Sequence, residues 1–190
     1  GGCATMARSR RLRLTLAGMG VHGIRRQLAD SVFRVPHERL RVSAPDVGGG
    51  FGTKNFVYPE WVHVLYAARK LRRPVRWVSE RVEDFLTSAQ GRDFRAQARM
   101  GLDASGRFLA LDVRAIANMG AYLSGAGPGT STVSAGNAMG GVYAIAAAFL
   151  ETRGAFTNTP PIDAYRGAGK PESNYLIERL VDIAARETGI

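Results

Sequence analysis

Cysteine is almost missing from this chain: of 190 residues, only Cys3 carries a thiol. A lone thiol excludes an internal disulfide, a CxxC pair and a cysteine-held iron–sulfur cluster. Redox chemistry here would need a centre held by other means, and the cytoplasm is the expected compartment. Long apolar runs are missing too. The longest, from Val142 to Leu150, stops at Glu151, well short of the ~20 apolar residues that cross a bilayer. The start, GGCATMARSRRLRLTLAG, has no uninterrupted apolar core, because Thr15 and Gly18 break the stretch behind the arginines. It reads as a chain entered mid-gene, or as a divergent start, rather than as a signal peptide. Acidic residues are few, 16 against 26 basic, for a net charge of +10. Such a balance admits nucleic acid, an acidic partner or an anionic cofactor. Yet the arginines are scattered, with no RNA-binding signature or aromatic stacking run beside them. Solvated arginines are the expected reading, and a basic nucleic-acid-binding module is an alternative.

What is present is an alternation of strand and helix periods. Leu12, Leu14 and Leu16 alternate as in a strand, and His22 to Phe33 reads as a helix with Ile24, Leu28, Val32 and Phe33 on one side. Leu40 to Ala44 is a short strand. Pro59 suits a first helical turn, with Trp61, Leu65 and Ala68 on one face, and Val75 to Val78 is a strand. Residues 92–101 and 107–117 alternate apolar and polar around the hairpin turn Asp103-Ala104-Ser105-Gly106. Residues 118–141 are rich in small residues and nearly uncharged, which suits either a flexible linker or a loop packed against a large ligand or another domain. Ala144 to Phe156 is strand-like. A helix opening at Pro171 places Leu176, Leu180, Ile183 and Ala184 at helical spacing and stops at Gly189. The class is therefore α+β: mixed sheets with crossover helices.

Two glycine-bearing loops stand out. In APDVGGGFGTK, the phosphate-loop and dinucleotide patterns counted from Gly48 both demand glycine at Thr53 and fail. What remains is backbone that must approach something closely. Four glycines in five residues remove side chains and allow several N–H groups to converge on one anion or oxo group, with Phe51 as a single apolar wall. The second loop, DAYRGAG, holds Arg166 between a tyrosine and glycines. Its guanidinium suits a carboxylate, a phosphate or a developing oxyanion in a cleft, or else caps carbonyls near the following helix.

Taken in order and spacing, APDVGGGFGTK at 44–54, RPVRWVSERVEDF at 73–85, NMGAYLSGAGP at 118–128 and AYRGAGKPE at 164–172 resemble the large subunit of the xanthine dehydrogenase/aldehyde oxidase/carbon monoxide dehydrogenase family. The resemblance covers about residues 20–190, leaving 1–19 as an unmatched or partly matched segment. It implies part of a molybdopterin-binding domain, carrying molybdenum on a pterin in the cytosine dinucleotide form. The implied reaction is hydroxylation of an aldehyde or N-heterocycle with water as the oxygen source. Electrons would pass to an iron–sulfur subunit and an FAD-binding subunit, with neither a cluster nor a flavin in this chain. Carried over by position, Gly49, Gly50, Phe51 and Gly52 are cofactor-binding, Arg166 faces substrate, and no side chain is assigned as a metal ligand.

Three departures accompany it. Met19 stands where such proteins usually place a glutamine, and a thioether cannot donate the same hydrogen bond. Gly167-Ala168-Gly169 replaces the stretch that holds a copper-binding cysteine in carbon monoxide dehydrogenases. The family's glutamate base lies beyond Ile190. The chain is thus expected to be the first part of a domain truncated on its C-terminal side and inactive by itself, with a non-catalytic remnant as the alternative.

Overall fold

The computed structural model describes residues 2–6 and 11–190, apart from the side chains of Cys3 and Met6. The Cys3 thiol, Arg8 and Arg10 therefore lie outside the described residues. The chain divides into two compact units, one up to Ser88 and one from Ala89 onward.

The first unit is built on β1 (Gly2–Met6) and β2 (Leu12–Leu16), followed by α1 (Val21–Arg26), β3 (Leu40–Ser43), α2 (Pro59–Leu71), β4 (Val75–Trp77) and α3 (Arg81–Thr87). Its sheet runs β3-β2-β1-β4. β1 is antiparallel to both β2 and β4, while β2 and β3 pair in parallel from Leu12↔Leu40 to Thr15↔Ser43. The alternation in β2 buries Leu12, Leu14 and Leu16. Trp61, Val64, Leu65 and Ala68 form the helical stripe of α2 that packs on them. Pro59 opens α2, and Arg72 ends it in a left-handed conformation two residues before Pro74.

The helix expected over His22 to Phe33 is there with a change of pitch: α1 passes into a π-helical stretch, Gln27–Phe33. A π-helix bonds i→i+5 and so takes more residues per turn than an α-helix, and the apolar face slips. Ile24 and Leu28 are buried, but Val32 is exposed. α3 was not legible from apolar spacing. It is fixed by a capping box, in which the Glu80 and Glu83 side chains each accept from the other's end of the first turn.

The second unit contains β5 (Phe94–Leu102), β6 (Phe108–Gly120), α4 (Gly127–Gly129), α5 (Ala135–Ala138), β7 (Ala147–Phe156) and α6 (Lys170–Thr188). Its sheet runs β5-β6-β7, with β5 antiparallel and β7 parallel to β6. The β5–β6 turn is the expected one: the Asp103 carboxylate accepts from the Ser105 and Arg107 amides at 2.9 and 3.0 Å. Residues 121–146 are no free linker. They form the crossover between the parallel strands, as short helical pieces that bury Thr130, Ser131, Ala135 and Met139.

The core of the second unit gathers Leu111, Val113, Met139 and Ile177, with Leu176 and Leu180 at its margin. The buried stripe of α6 is thus centred one residue away from the expected line. Ile177 is fully buried and Ile183 is partly exposed. Gly189 caps α6 in the left-handed conformation. The α+β class with mixed sheets and crossover helices holds. Among the described residues, no helix is long and apolar enough to cross a membrane.

Candidate functional site

In the first unit, the loop that follows β3 carries the glycine cluster. Gly48 and Gly49 have φ of 64° and 91°, a region that suits residues without a β-carbon. Phe51 adopts φ 53° as well, and its ring folds back over the backbone: a β-carbon on Gly49 would sit 2.6 Å from it. The ring is half-exposed. A β-carbon on Gly50 would overlap the Met19 sulfur, whereas one on Gly48 would meet nothing within 4 Å. The loop and the Gly18-Met19-Gly20 turn therefore lie against each other, with Met19 seated on Gly50.

Lys54 ties the loop together, a role that local sequence reading missed. Its amide donates to the Gly50 carbonyl at 3.2 Å, and its ammonium donates to the Val47 carbonyl at 2.8 Å. Its carbonyl accepts from the Met19 amide at 2.8 Å. Farther along, the Asn55 amide donates to Gly52, and the Tyr58 hydroxyl donates to the Thr53 carbonyl at 2.8 Å. Tyr58 is itself held edge-on against Trp61 of α2. Among the described residues, none accepts from the amides of Gly48, Gly49, Gly50 or Gly52. Backbone donors without an acceptor in the fold are the chemistry of an anion cradle. Beside the loop lies a cleft of about 470 Å³ lined by Thr53, Lys54, Tyr58 and Trp77.

In the second unit, Arg166 sits on the turn that enters α6, and it is exposed. The turn folds over three successive residues with positive φ, Gly167, Ala168 and Gly169. The Ala168 amide donates to Tyr165 at 2.8 Å and the Lys170 amide to Gly167 at 3.2 Å. Gly169 is required for close packing: a β-carbon there would overlap the Thr130 carbonyl oxygen. Ser173, fully buried, donates from its hydroxyl to the Ala135 carbonyl at 2.6 Å and so fastens α6 to α5.

Behind the turn lie two buried polar anchors. Asp163 accepts from the Ala126 amide at 2.9 Å and from the Ala164 amide. Asn118 donates to Asp93 and Thr159, each at 2.8 Å, and accepts from the Gly120 amide and the Thr157 hydroxyl, each at 2.7 Å. Both bury short polar side chains among apolar and small residues, a signal that could have drawn attention to them. Arg92, which reaches the same turn, gave no such signal.

Gly49, Gly50, Phe51 and Gly52 thus fall on one loop with Met19 beside it, and Arg166 falls on a turn of the other unit. The comparison with protein families gives a match to the molybdopterin cofactor-binding domain over residues 1–190. The chain is 35% identical over 170 residues to the 6-hydroxypseudooxynicotine dehydrogenase complex subunit gamma of Paenarthrobacter nicotinovorans, covering 90% of this chain and 21% of that protein. It is 36% identical over 155 residues to the carbon monoxide dehydrogenase large chain of Hydrogenophaga pseudoflava, covering 80% of this chain and 19% of that one. Among solved structures, quinoline 2-oxidoreductase from Pseudomonas putida 86 superposes with a TM-score of 0.91 at 35% identity, over 100% of this chain and 24% of that one. This chain belongs to the molybdopterin cofactor-binding domain family, and it spans about a fifth of the length of these relatives.

Proposed function

We propose that the chain forms part of the cofactor pocket in the large subunit of a molybdenum hydroxylase. In this reading, the subunit oxidises an aldehyde or N-heterocycle with water as the oxygen source. The observation that carries the proposal is the ribbon of glycine amides at 48–52: Gly48 and Gly49 are exposed, Gly50 and Gly52 half-buried, and among the described residues none of the four amides meets an acceptor. Such donors fit an anionic or oxo-bearing ligand, and the absent β-carbons leave room for it to approach closely. Gly49, Gly50 and Gly52 would hold the cofactor through their backbone, and Phe51 would present an apolar wall. Met19, seated against Gly50, would contribute contact but donate no hydrogen bond from its side chain, since a thioether has no donor.

When bound, molybdopterin supplies a molybdenum centre able to take two electrons from substrate. The part assigned to this chain beyond cofactor binding is electrostatic. Arg166 would face the substrate and stabilise negative charge as it develops, the use to which a fixed guanidinium is best suited. The likeness to carbon monoxide dehydrogenase large chains does not extend to copper here, because Gly167-Ala168-Gly169 offers no thiolate.

We also infer the cytosine dinucleotide form of the cofactor, an iron–sulfur subunit and an FAD-binding subunit as partners, and the cytoplasm as the compartment. The near-absence of cysteine supports this division of labour, with the clusters on other chains.

The test is elemental analysis of the complete large subunit purified with its small subunits. About one molybdenum per large subunit is expected, and a preparation without molybdenum overturns the reading. In the same enzyme, Arg166→Ala should lower turnover by about a hundredfold or more, within the range found for removing one charge-stabilising donor, while molybdenum content stays near that of the wild type. An equal loss of both would make the arginine structural.

A further inference from the structure

The turn that carries Arg166 has little local reason to keep its shape. Gly167, Ala168 and Gly169 adopt left-handed φ values of 103°, 50° and 88° in succession, and such a run builds no repeating hydrogen-bond ladder. Two amides stitch it internally, Ala168 to Tyr165 and Lys170 to Gly167. Its far end packs on the crossover, with Gly169 against the Thr130 carbonyl, while the Tyr165–Arg166 end is tied by Arg92, far away in sequence and just before β5. Its guanidinium donates through Nη2 to the Arg166 carbonyl and, at 3.5 Å, to the Tyr165 carbonyl. The same guanidinium lies over the Tyr165 ring, 4.8 Å from its centre. Its Nε faces Glu172 Oε2 in the first turn of α6 at 3.9 Å, a buried oxygen with no hydrogen-bond partner among the described residues.

We propose that Arg92 is the positioning residue of the Arg166 turn: its planar fork gathers two successive carbonyls, the Tyr165 ring and the Glu172 carboxylate, and thereby fixes how Arg166 is presented. Only an arginine fits this set. A lysine would bring the charge but not a flat, multi-donor group that can lie on a ring while bonding to carbonyls at its edge. Glu172 balances the charge, so the tie adds no net positive charge to the backbone next to Arg166.

The backbone at Arg92 agrees with this role. It holds φ 54°, a conformation unfavourable for a residue with a β-carbon and one that persists when surrounding contacts over-determine it. Its neighbour Gly91 is fitted to the same contact: a β-carbon there would sit 2.6 Å from Tyr165 Cβ.

The use of Arg166 toward substrate rests on the function proposed above, but the tie does not, and the experiment separates them. In the complete enzyme, Arg92→Gly keeps the left-handed backbone accessible while removing the side chain that carries the guanidinium. Hydrogen–deuterium exchange should then speed up by about tenfold at the Ala168 and Lys170 amides, the weight of a charge-assisted hydrogen bond, while the amides of β6 and the middle of α6 stay as in the wild type. Millimolar ethylguanidinium should restore protection, and ethylammonium should not. Arg92→Lys, which preserves charge and a long side chain, should leave the turn nearly as open as Arg92→Gly.

Unchanged exchange at 168–170, equal rescue by both cations, or a loss of protection spread over the whole second unit would each overturn the assignment. Molybdenum content and the exchange result are independent readouts. An enzyme without molybdenum sinks the proposed function, whereas an indifferent turn sinks the role of Arg92.

Discussion

Around residues 48–50, an added β-carbon would meet open space or a movable side chain. At Gly120, Gly127 and Gly169 it would run into backbone, namely the Pro160, Ile162 and Thr130 carbonyl oxygens. These two sets of glycines therefore serve opposite purposes. In the first, the absent side chain leaves donors uncovered on the surface of the loop. In the second, it lets two stretches of main chain touch, and the polar side chain of chemical interest, Arg166, is presented on top. A glycine-rich stretch in the sequence announces a close approach but not whether the approaching partner is a ligand or the chain itself.

Substitutions can break or sharpen this contrast. The largest effect belongs to the packed class. Gly169→Ala combines a left-handed backbone with overlap on the Thr130 carbonyl, and it should cost on the order of 4 kcal/mol in urea unfolding. A loss under about 1 kcal/mol would show that this contact is soft.

Next comes Gly50→Ala, which collides with the Met19 thioether, a flexible group. A cost of about 1–2 kcal/mol is expected, most of it recovered in the Met19→Ala background. Additive single effects would separate the two residues. Gly48→Ala meets no neighbour and should cost only about 1 kcal/mol from its φ. If the loop binds the cofactor as proposed, the complete enzyme carrying it should nevertheless lose molybdenum, read by elemental analysis, because the new methyl group would shield one of the amides assigned to that ligand. Full molybdenum content would argue against that use of the loop.

The smallest effect lies away from both loops. Asp103 is held below its ordinary 3.8, chiefly by the Ser105 hydroxyl and then by the Arg107 amide. A carboxyl lowered in the folded state stabilises fully above its ordinary value, and that stability fades as pH falls through the lowered one. As pH falls below about 4 the wild type should therefore lose stability faster than Asp103→Asn in acid-titrated thermal melts. Parallel curves would refute this.

Much of the fold could be read from local rules. The β2 alternation, Pro59 at the head of α2, the Asp103 hairpin turn and the Gly189 stop each rest on neighbours a few residues apart. What escaped had a different cause in each case. The π widening after Arg26 moved Val32 to solvent, because periodicity assumes a constant pitch. The stripe of α6 is centred on Ile177 because the crossover residue Met139 and the strand residues Leu111 and Val113 select it, and no pattern within the helix encodes them.

At the candidate site, the glycine loop and Arg166 stood out by composition and by resemblance. Asn118 and Arg92 did not, because their work is done across long stretches of chain, and Lys54 did not because its bonds go to backbone carbonyls, which side-chain identity does not mark. Arg92 meets carbonyls 73 and 74 residues away, and Asn118 meets a hydroxyl 41 residues away. Such pairings follow from topology, which single-sequence reading supplies last.

The parallel match of β7 to β6 has a kinetic corollary. No tight turn can deliver one strand to the other, so the chain must complete its whole excursion from Gly120 to Ala147 before Ala110 finds Ala147. Every ladder contact on that side awaits a loop closure whose entropy is lost in advance. The β5–β6 hairpin, closed by the Asp103 turn, should be the early structure during refolding, with β7 the strand that arrives late.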